Sequence, residues 1–281
     1  MKKLILILAF LMICLTLNAC NAPKEEPATE PPTQQVTEAE TEPTTEPPTE
    51  PTTEPEPTID LENLVTDAYS YVLDVGSGVT LNYNIPQINL DTEAVAQINS
   101  EIYSHLYDET MQECVFASLE IGNDIPICLE ISYEWYINDD ILSLVITEEL
   151  DADIINYIAY NLYISEGIEA SNEYIILSKM SSLQEYRDTV KEALGSMVWN
   201  SYGDMIALWQ SNNADEMLAE ARYVLESTIS VENIDACAPY LGENGDLYII
   251  GDVYSLAGAS KYSHIVNLND YELAENYSET I

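Results

Sequence analysis

The sequence predicts an α+β domain with a mainly antiparallel sheet, in the order β-α-β-β-β-α-α-β-β. Three observations lead there. Residues 125–137 alternate between apolar and polar types, the period of a half-buried antiparallel strand. Ser182 with Glu185, and Asn213 with Glu216, each form a capping-box pattern ahead of apolar residues at helical spacing. Glu243-Asn244-Gly245-Asp246 is a hairpin signal, because Asn-Gly tolerates the positive φ of a tight turn.

The elements follow in order. Residues 79–89 suit an extended strand with Pro86 near its end. Asp91 is placed to cap a helix carrying Val95, Ile98, Ile102, His105 and Leu106 on one face. In the next strand, Ile125, Ile127, Leu129, Ile131, Tyr133, Trp135 and Ile137 share one side, while Glu130, Ser132, Glu134 and Tyr136 take the other. Asn138-Asp139-Asp140 turns the chain into a second strand over 141–149. A third, over 154–164, places Ile154, Ile158, Tyr160, Leu162 and Ile164 on one face, so the three form a meander. The two capped helices bury Leu183, Tyr186, Val190, Leu194 and Met197 in the first, and Met217, Ala221 and Val224 in the second. Residues 247–254 and 262–268 are strands on either side of Gly258.

The N-terminus specifies an address. Lys2 and Lys3 precede an apolar run of 14 residues over 4–17. That suits a signal-peptide core and falls short of the roughly 20 residues a spanning helix needs. Leu17-Asn18-Ala19-Cys20 matches the pattern that lipoprotein signal peptidases read, with Asn18 a slight departure. Residues 1–19 are therefore a lipoprotein signal peptide and Cys20 is the lipidation site, whose acyl chains (a palmitate-type modification) replace a spanning helix. Plain secretion with Cys20 unmodified is the alternative. Residues 21–57 hold 10 Pro, 10 Glu and 9 Thr, with too little apolar surface to offset the entropy of ordering. Segment 20–57 is expected to be a disordered, semi-stiff tether reaching roughly 115 Å at about 3.1 Å per residue. The protein is then expected on the extracytoplasmic face of the cell membrane.

Residues 58–281 are expected to form a single acidic domain. Of 50 acidic residues, 10 lie in the tether, leaving 40 in the domain against Lys179, Arg187, Lys191, Arg222 and Lys261, a net charge near −35. This excludes nucleic acid and anionic wall polymers as direct partners, and favours a cationic protein or divalent ions. Simple solubility is the plainer explanation of the same charge. Cys114, Cys128 and Cys237 are an odd set, so either one bridge and a free thiol or three thiols are expected. Without Cys-x-x-Cys or a Cys/His cluster, structural zinc is not expected.

Several strings are similar to a family of extracytoplasmic Gram-positive domains. That family forms the outer part of lysozyme-sensing anti-sigma factors and the N-terminal region of some peptidoglycan deacetylases. The matching residues are Tyr83-Asn84-Ile85-Pro86-Gln87-Ile88, Ile98-Asn99, Tyr133-Glu134-Trp135-Tyr136, Ile141-Leu142-Ser143-Leu144 and Tyr160-Asn161-Leu162. The resemblance spans 79–270 and implies the same α+β layout and a surface binding role. Family members often carry Gly-Gly-Ala-His after the second strand. Here Glu148-Glu149-Leu150-Asp151-Ala152-Asp153 stands in that place. With only Lys2 and Lys3 ahead of the apolar run, a sigma-factor-holding role is not expected, and no deacetylase domain follows.

Catalytic signatures are missing from the sequence: it has no Gly-x-Ser-x-Gly elbow, no His-Glu-x-x-His and no phosphate-cradling glycine loop. His105 falls on an apolar helix face and His264 in a strand pattern, both read as structural. Glu149, Asp151 and Asp153, spaced by two, are the candidate calcium ligands, with a solvated loop as the alternative. Tyr136 and Tyr163 are candidate exposed aromatics for stacking on sugars or for protein contacts. These observations favour a non-enzymatic binding module for a cationic, lysozyme-like protein or a cell-wall component. The alternatives are a wall-polymer hydrolase or transferase using paired carboxylates, and a calcium-dependent adhesion module.

Overall fold

A strand that the alternation rules passed over begins the domain. The computed structural model describes residues 59–76, 79–112, 128–150, 154–256 and 260–281. Asp60 caps a short 3-10 turn, Leu61–Asn63, by accepting from the Glu62 backbone. Strand β1 (Val65–Gly76) then pairs antiparallel with β2 (Val79–Ile88), with irregular register at Asp67/Tyr69 and Asp74/Gly76. Tyr69, Tyr71 and Leu73, spaced by two, pack on the core. The expected 79–89 strand is β2, and β1 was not foreseen.

Helix α1 (Glu93–Tyr103) is capped by Thr92 rather than Asp91. The Thr92 hydroxyl accepts from Val95 N at 3.2 Å and donates to the Gly167 carbonyl at 2.6 Å, tying the helix start to a distant turn. Gly167 sits at φ +59, and a Cβ there would lie 2.5 Å from the Thr92 methyl. The helix continues as a π-helical segment, Ser104–Met111. Val95, Ile98, Ile102 and Leu106 are buried as expected.

Strand β3 (Cys128–Asn138) runs parallel to β2 through Asn82↔Glu130 and Tyr83↔Ile131, across a connection that contains α1. β4 (Ile141–Leu150) and β5 (Ile154–Tyr163) complete the expected meander, β4–β5 in continuous register and β3–β4 with one irregularity at Cys128/Glu130, and Asp139 sits at φ 52 in the first turn. Two residues, β6 (Ile168–Glu169), close that edge. Ile125 and Ile127 lie outside the described residues.

Helices α2 (Asn172–Leu177), α3 (Leu183–Ser211), α4 (Asp215–Thr228) and α5 (Val231–Asp235) follow. Ser182 caps α3, accepting from Glu185 N at 3.1 Å. The Glu185 carboxylate reaches back to Ser181 N at 2.8 Å, one residue earlier than a capping box places it. Asn213 does not cap α4. It sits at φ 52 in the α3–α4 turn, and Ala214 takes the cap position without a side-chain bond. Ala221 and Val224 are buried as expected, together with Leu225 and Thr228, whereas Met217 is exposed.

The last strands do not extend the meander. Among the described residues, β7 (Ala238–Leu241), β8 (Leu247–Tyr254) and β9 (Lys261–Asn267) form a second antiparallel sheet beside the six-stranded first one. The β7–β8 turn holds Asn244 at φ 62 and Gly245 at φ 73, as the Asn-Gly signal requires. An α+β fold with mainly antiparallel sheets is thus what the chain adopts.

Strand parity shows how the layers stack. Ile131, Leu142, Leu144, Ile146 and Leu162 of the first sheet share a core with α1. Its opposite face offers Tyr136, Val145, Tyr157 and Ala159 to Ala238, Tyr240, Tyr248 and Ile250 of the second sheet. The reverse face of that sheet, Leu247, Ile249, Val253 and Val266, packs on α3 and α4. The order is helix, sheet, sheet, helices, within the compact unit Glu56–Ile281.

A buried polar clip joins the sheets. Ser143 donates to Asn161 Oδ1 at 2.7 Å, Asn161 Nδ2 donates to the Pro239 carbonyl at 2.9 Å, and Leu241 N donates to Ser143 Oγ at 3.2 Å. Asn161→Ala should cost about 2 to 3 kcal/mol, since it strands buried groups on both sheets. Urea unfolding measures this, and a loss below about 0.5 kcal/mol would remove the clip from any structural role.

Candidate functional site

Of the foreseen site residues, the structure describes Tyr136, Tyr163 and Glu149. Tyr136 is half-buried between the sheets, its ring stacked 6.4 Å from Tyr240, and its hydroxyl donates to Glu134. Burial, with the Glu134 carboxylate adding to it, holds its phenol far above the ordinary range. Tyr163 is also half-buried, packed on the helical core and tilted 5.0 Å from Tyr174. Neither is the freely exposed aromatic that alternation suggested, because a second sheet and α2 cover that face. Glu149 is exposed on β4, while Asp151, Asp153, Cys114, Cys20 and Gly258 lie outside the described residues. Among the described residues no cluster of three metal-ligating side chains occurs.

The acidic stretch contains a feature that sequence reasoning missed. Glu148 follows Leu142, Leu144 and Ile146 on the core side of β4, and only 5% of it is exposed. Thr110 donates to its carboxylate at 2.8 Å, and His105 Nε2 stands 3.5 Å away. His105 Nδ1 lies 3.3 Å from Glu109. His105 is thus a rim residue bridging two carboxylates, and the π-helical turn brings it and Thr110 onto the β4 strand.

A tyrosine row was also missed. Tyr103 stacks on Tyr107 at 4.6 Å, Tyr107 meets Tyr69 edge-on at 4.9 Å, and Tyr69, Tyr71 and Tyr83 follow at 6.3 Å steps. It runs from the exposed Tyr103 to the buried Tyr83, whose hydroxyl donates to the Cys128 carbonyl at 2.6 Å. Exposed carboxylates flank it. Asp67 accepts from Tyr133 at 2.8 Å and from Ser70 at 3.2 Å; Glu101, Asp108 and Glu109 project from α1 and its extension. Burial together with Asp67 pushes the Tyr133 phenol up to about 12.

Charge is distributed unevenly. Residues 59–178, which include the whole first sheet and α1, contain 23 acidic residues and no Lys or Arg. All five domain cations lie at 179 or later, where Arg187 pairs with Asp235, Lys191 with Glu279 and Lys261 with Asp252. The tyrosine row therefore sits in a field of one sign.

Among the described residues, cavities open in the second half of the chain. One of about 380 Å³ opens between α3, β5, β8 and β9 and is lined by Tyr157, Tyr202, Tyr254, Tyr262 and His264. A second of about 330 Å³ contains both Asp270 and Glu272. A third of about 200 Å³ lies beside Tyr186, the Arg187–Asp235 pair and Cys237. Burial would raise the Asp252 carboxyl, but bonds from Lys261 and Ser263 outweigh it and hold the carboxyl below its ordinary value. Among the described residues no helix is long and apolar enough to cross a membrane. Compared with protein-family models and with curated proteins, the chain matches none.

Two expectations follow from the buried groups. Burial, then the nearby Asp252 and Asp235 carboxylates, push the Cys237 thiol up to about 12, and Cys237 is a free, buried cysteine. Cys237 should not react with a disulfide reagent until the protein unfolds, as peptide mapping after native and denatured labelling will show. Burial also lowers the His264 imidazole, with Asp252 opposing in part. The unfolded chain then binds the extra proton first. The contribution of His264 is intact above about pH 6.5 and is lost as pH falls through its lowered folded value. Denaturant melts should show a smaller acid loss for His264→Gln than for the parent; equal slopes would count against this.

Proposed function

We propose that this protein is a lipid-anchored, non-enzymatic surface module that binds a cationic protein, of which a lysozyme-like muramidase is the sharpest example. The observation that supports this best is the tyrosine row lying within a stretch of 23 carboxylates and no Lys or Arg. Tyrosine is a favoured interface residue, contributing broad contact area and a hydrogen-bonding tip. A guanidinium or ammonium group placed over such rings gains cation–π attraction as well as carboxylate pairing. The one-signed field would speed the encounter and reject anionic competitors. Cys20 would hold the module at the outer membrane face, with segment 20–57 as its spacer.

Immobilised lysozyme should retain the full chain at low salt and retain it less at physiological salt, because exposed charges are screened over about 8 Å there. Tyr107→Ala should weaken retention by about tenfold, the loss expected of a central aromatic contact. Absence of retention at either salt would sink the muramidase version. Cys20→Ser should release the protein from membranes to the medium, and continued membrane attachment would count against the anchor.

A further inference from the structure

We infer that the cavity between α3, β5, β8 and β9 is a binding site for a neutral saccharide. Its residues are separate from the tyrosine row, so the inference stands apart from the protein-binding role. Among the described residues, no Asp, Glu, Lys or Arg lines it, although the domain has 40 carboxylates and the other two cavities each hold at least one. This exclusion narrows the ligand. A cation would find no carboxylate on the walls to pair with. An anion would have to enter against a domain charge near −35. The lining therefore favours an uncharged molecule.

The lining then specifies its chemistry. Tyr157, Tyr202, Tyr254 and Tyr262 offer ring faces, and Tyr262 is 37% exposed at the mouth. Between the rings stand the hydroxyls of Ser201, Ser255 and Ser263 and the imidazole of His264. Tyr202 and Ser255 already share a hydrogen bond of 3.2 Å, and Ser263 donates to Asp252 at 2.7 Å, so these hydroxyls are oriented before any ligand arrives. A pyranose has the matching surface. Its axial C–H face is apolar and packs on an aromatic ring, while its equatorial hydroxyls both donate and accept. His264, held below its ordinary protonation range by burial, supplies a neutral imidazole that can do either. The volume of about 380 Å³ falls within the size range of small-ligand sites.

The test is titration of the full chain with two neutral probes, N-acetylglucosamine trimer and glucose trimer, followed by saturation-transfer NMR and calorimetry. Saturation should pass from aromatic protons to pyranose ring protons of at least one probe. Affinity should fall about tenfold or more in Tyr262→Ala and be retained in Tyr262→Phe. Tyr223→Ala, at an exposed position on α4, should bind like the parent. His264→Gln supplies a second reading if the alanine variant fails to fold, and should also lose affinity. No transfer to either trimer at millimolar concentration would overturn the site. So would parental affinity in a folded Tyr262→Ala or His264→Gln.

Discussion

The clip of Ser143, Asn161, Pro239 and Leu241 is the constraint on which the rest of the molecule depends. Two sheets could slide over each other along an apolar interface, because hydrophobic attraction is non-directional. A hydrogen bond is directional, and a buried one is expensive to leave unmade. Ser143 and Asn161 face each other on neighbouring strands and reach the same short strand, β7. They thereby fix where the second sheet sits. Asn138 adds a contact at the rim, donating to the Gly242 carbonyl at 3.1 Å. Once β7 is placed, pairing carries β8 and β9 with it, and their outer face becomes the floor for α3 and α4.

That docking also decides which surfaces are free. The face of the first sheet carrying Tyr136, Tyr157 and Val145 is consumed by the second sheet. Its other face takes α1, but α1 does not reach across all of the β1 edge. The aromatic row is left there, half-packed on the core and half in solvent. A different geometry arises where the second sheet ends. There α3, β5, β8 and β9 converge without filling the space between them, and the gap is the tyrosine-lined cavity.

Much of the fold was legible in the sequence, for reasons that can be named. β3 alternates cleanly in sequence, with Leu129, Ile131, Tyr133, Trp135 and Ile137 on the α1 core; the Asn-Gly turn and the Ser182 cap use side chains or φ values that few other residues supply. β1 was harder to see because its alternation is broken at Asp67, where the register shifts, and it runs into Gly76-Ser77-Gly78, which reads as a loop. Asn213 misled because the residue type that caps helices also tolerates positive φ. The half-burial of Tyr136 and Tyr163 was not legible at all. Their own strands announce a polar-facing side, and only the late arrival of β7, β8 and α2 covers it. The same limit applies to Glu148, whose inward position follows from strand parity but whose partners Thr110 and His105 come from a π-helical turn that no local pattern announced.

Charge and burial meet at Glu148. Among the described residues it is the one carboxylate that is buried, and it is bonded to Thr110. The other described carboxylates stay at least partly in solvent, where water and salt screen their mutual repulsion. The excess charge near −35 is therefore borne by the surface and not by the core. This arrangement has opposite consequences for the domain and for its proposed cationic partner. Added salt relieves repulsion within the domain and weakens attraction between the two proteins. A surface optimised only for stability would intersperse cations among the acids, as the second half partly does with its three ion pairs. The first half, with 23 acids and no Lys or Arg, forgoes that relief. The repulsion it accepts is the physical counterpart of the field that would draw a cationic protein to the tyrosine row.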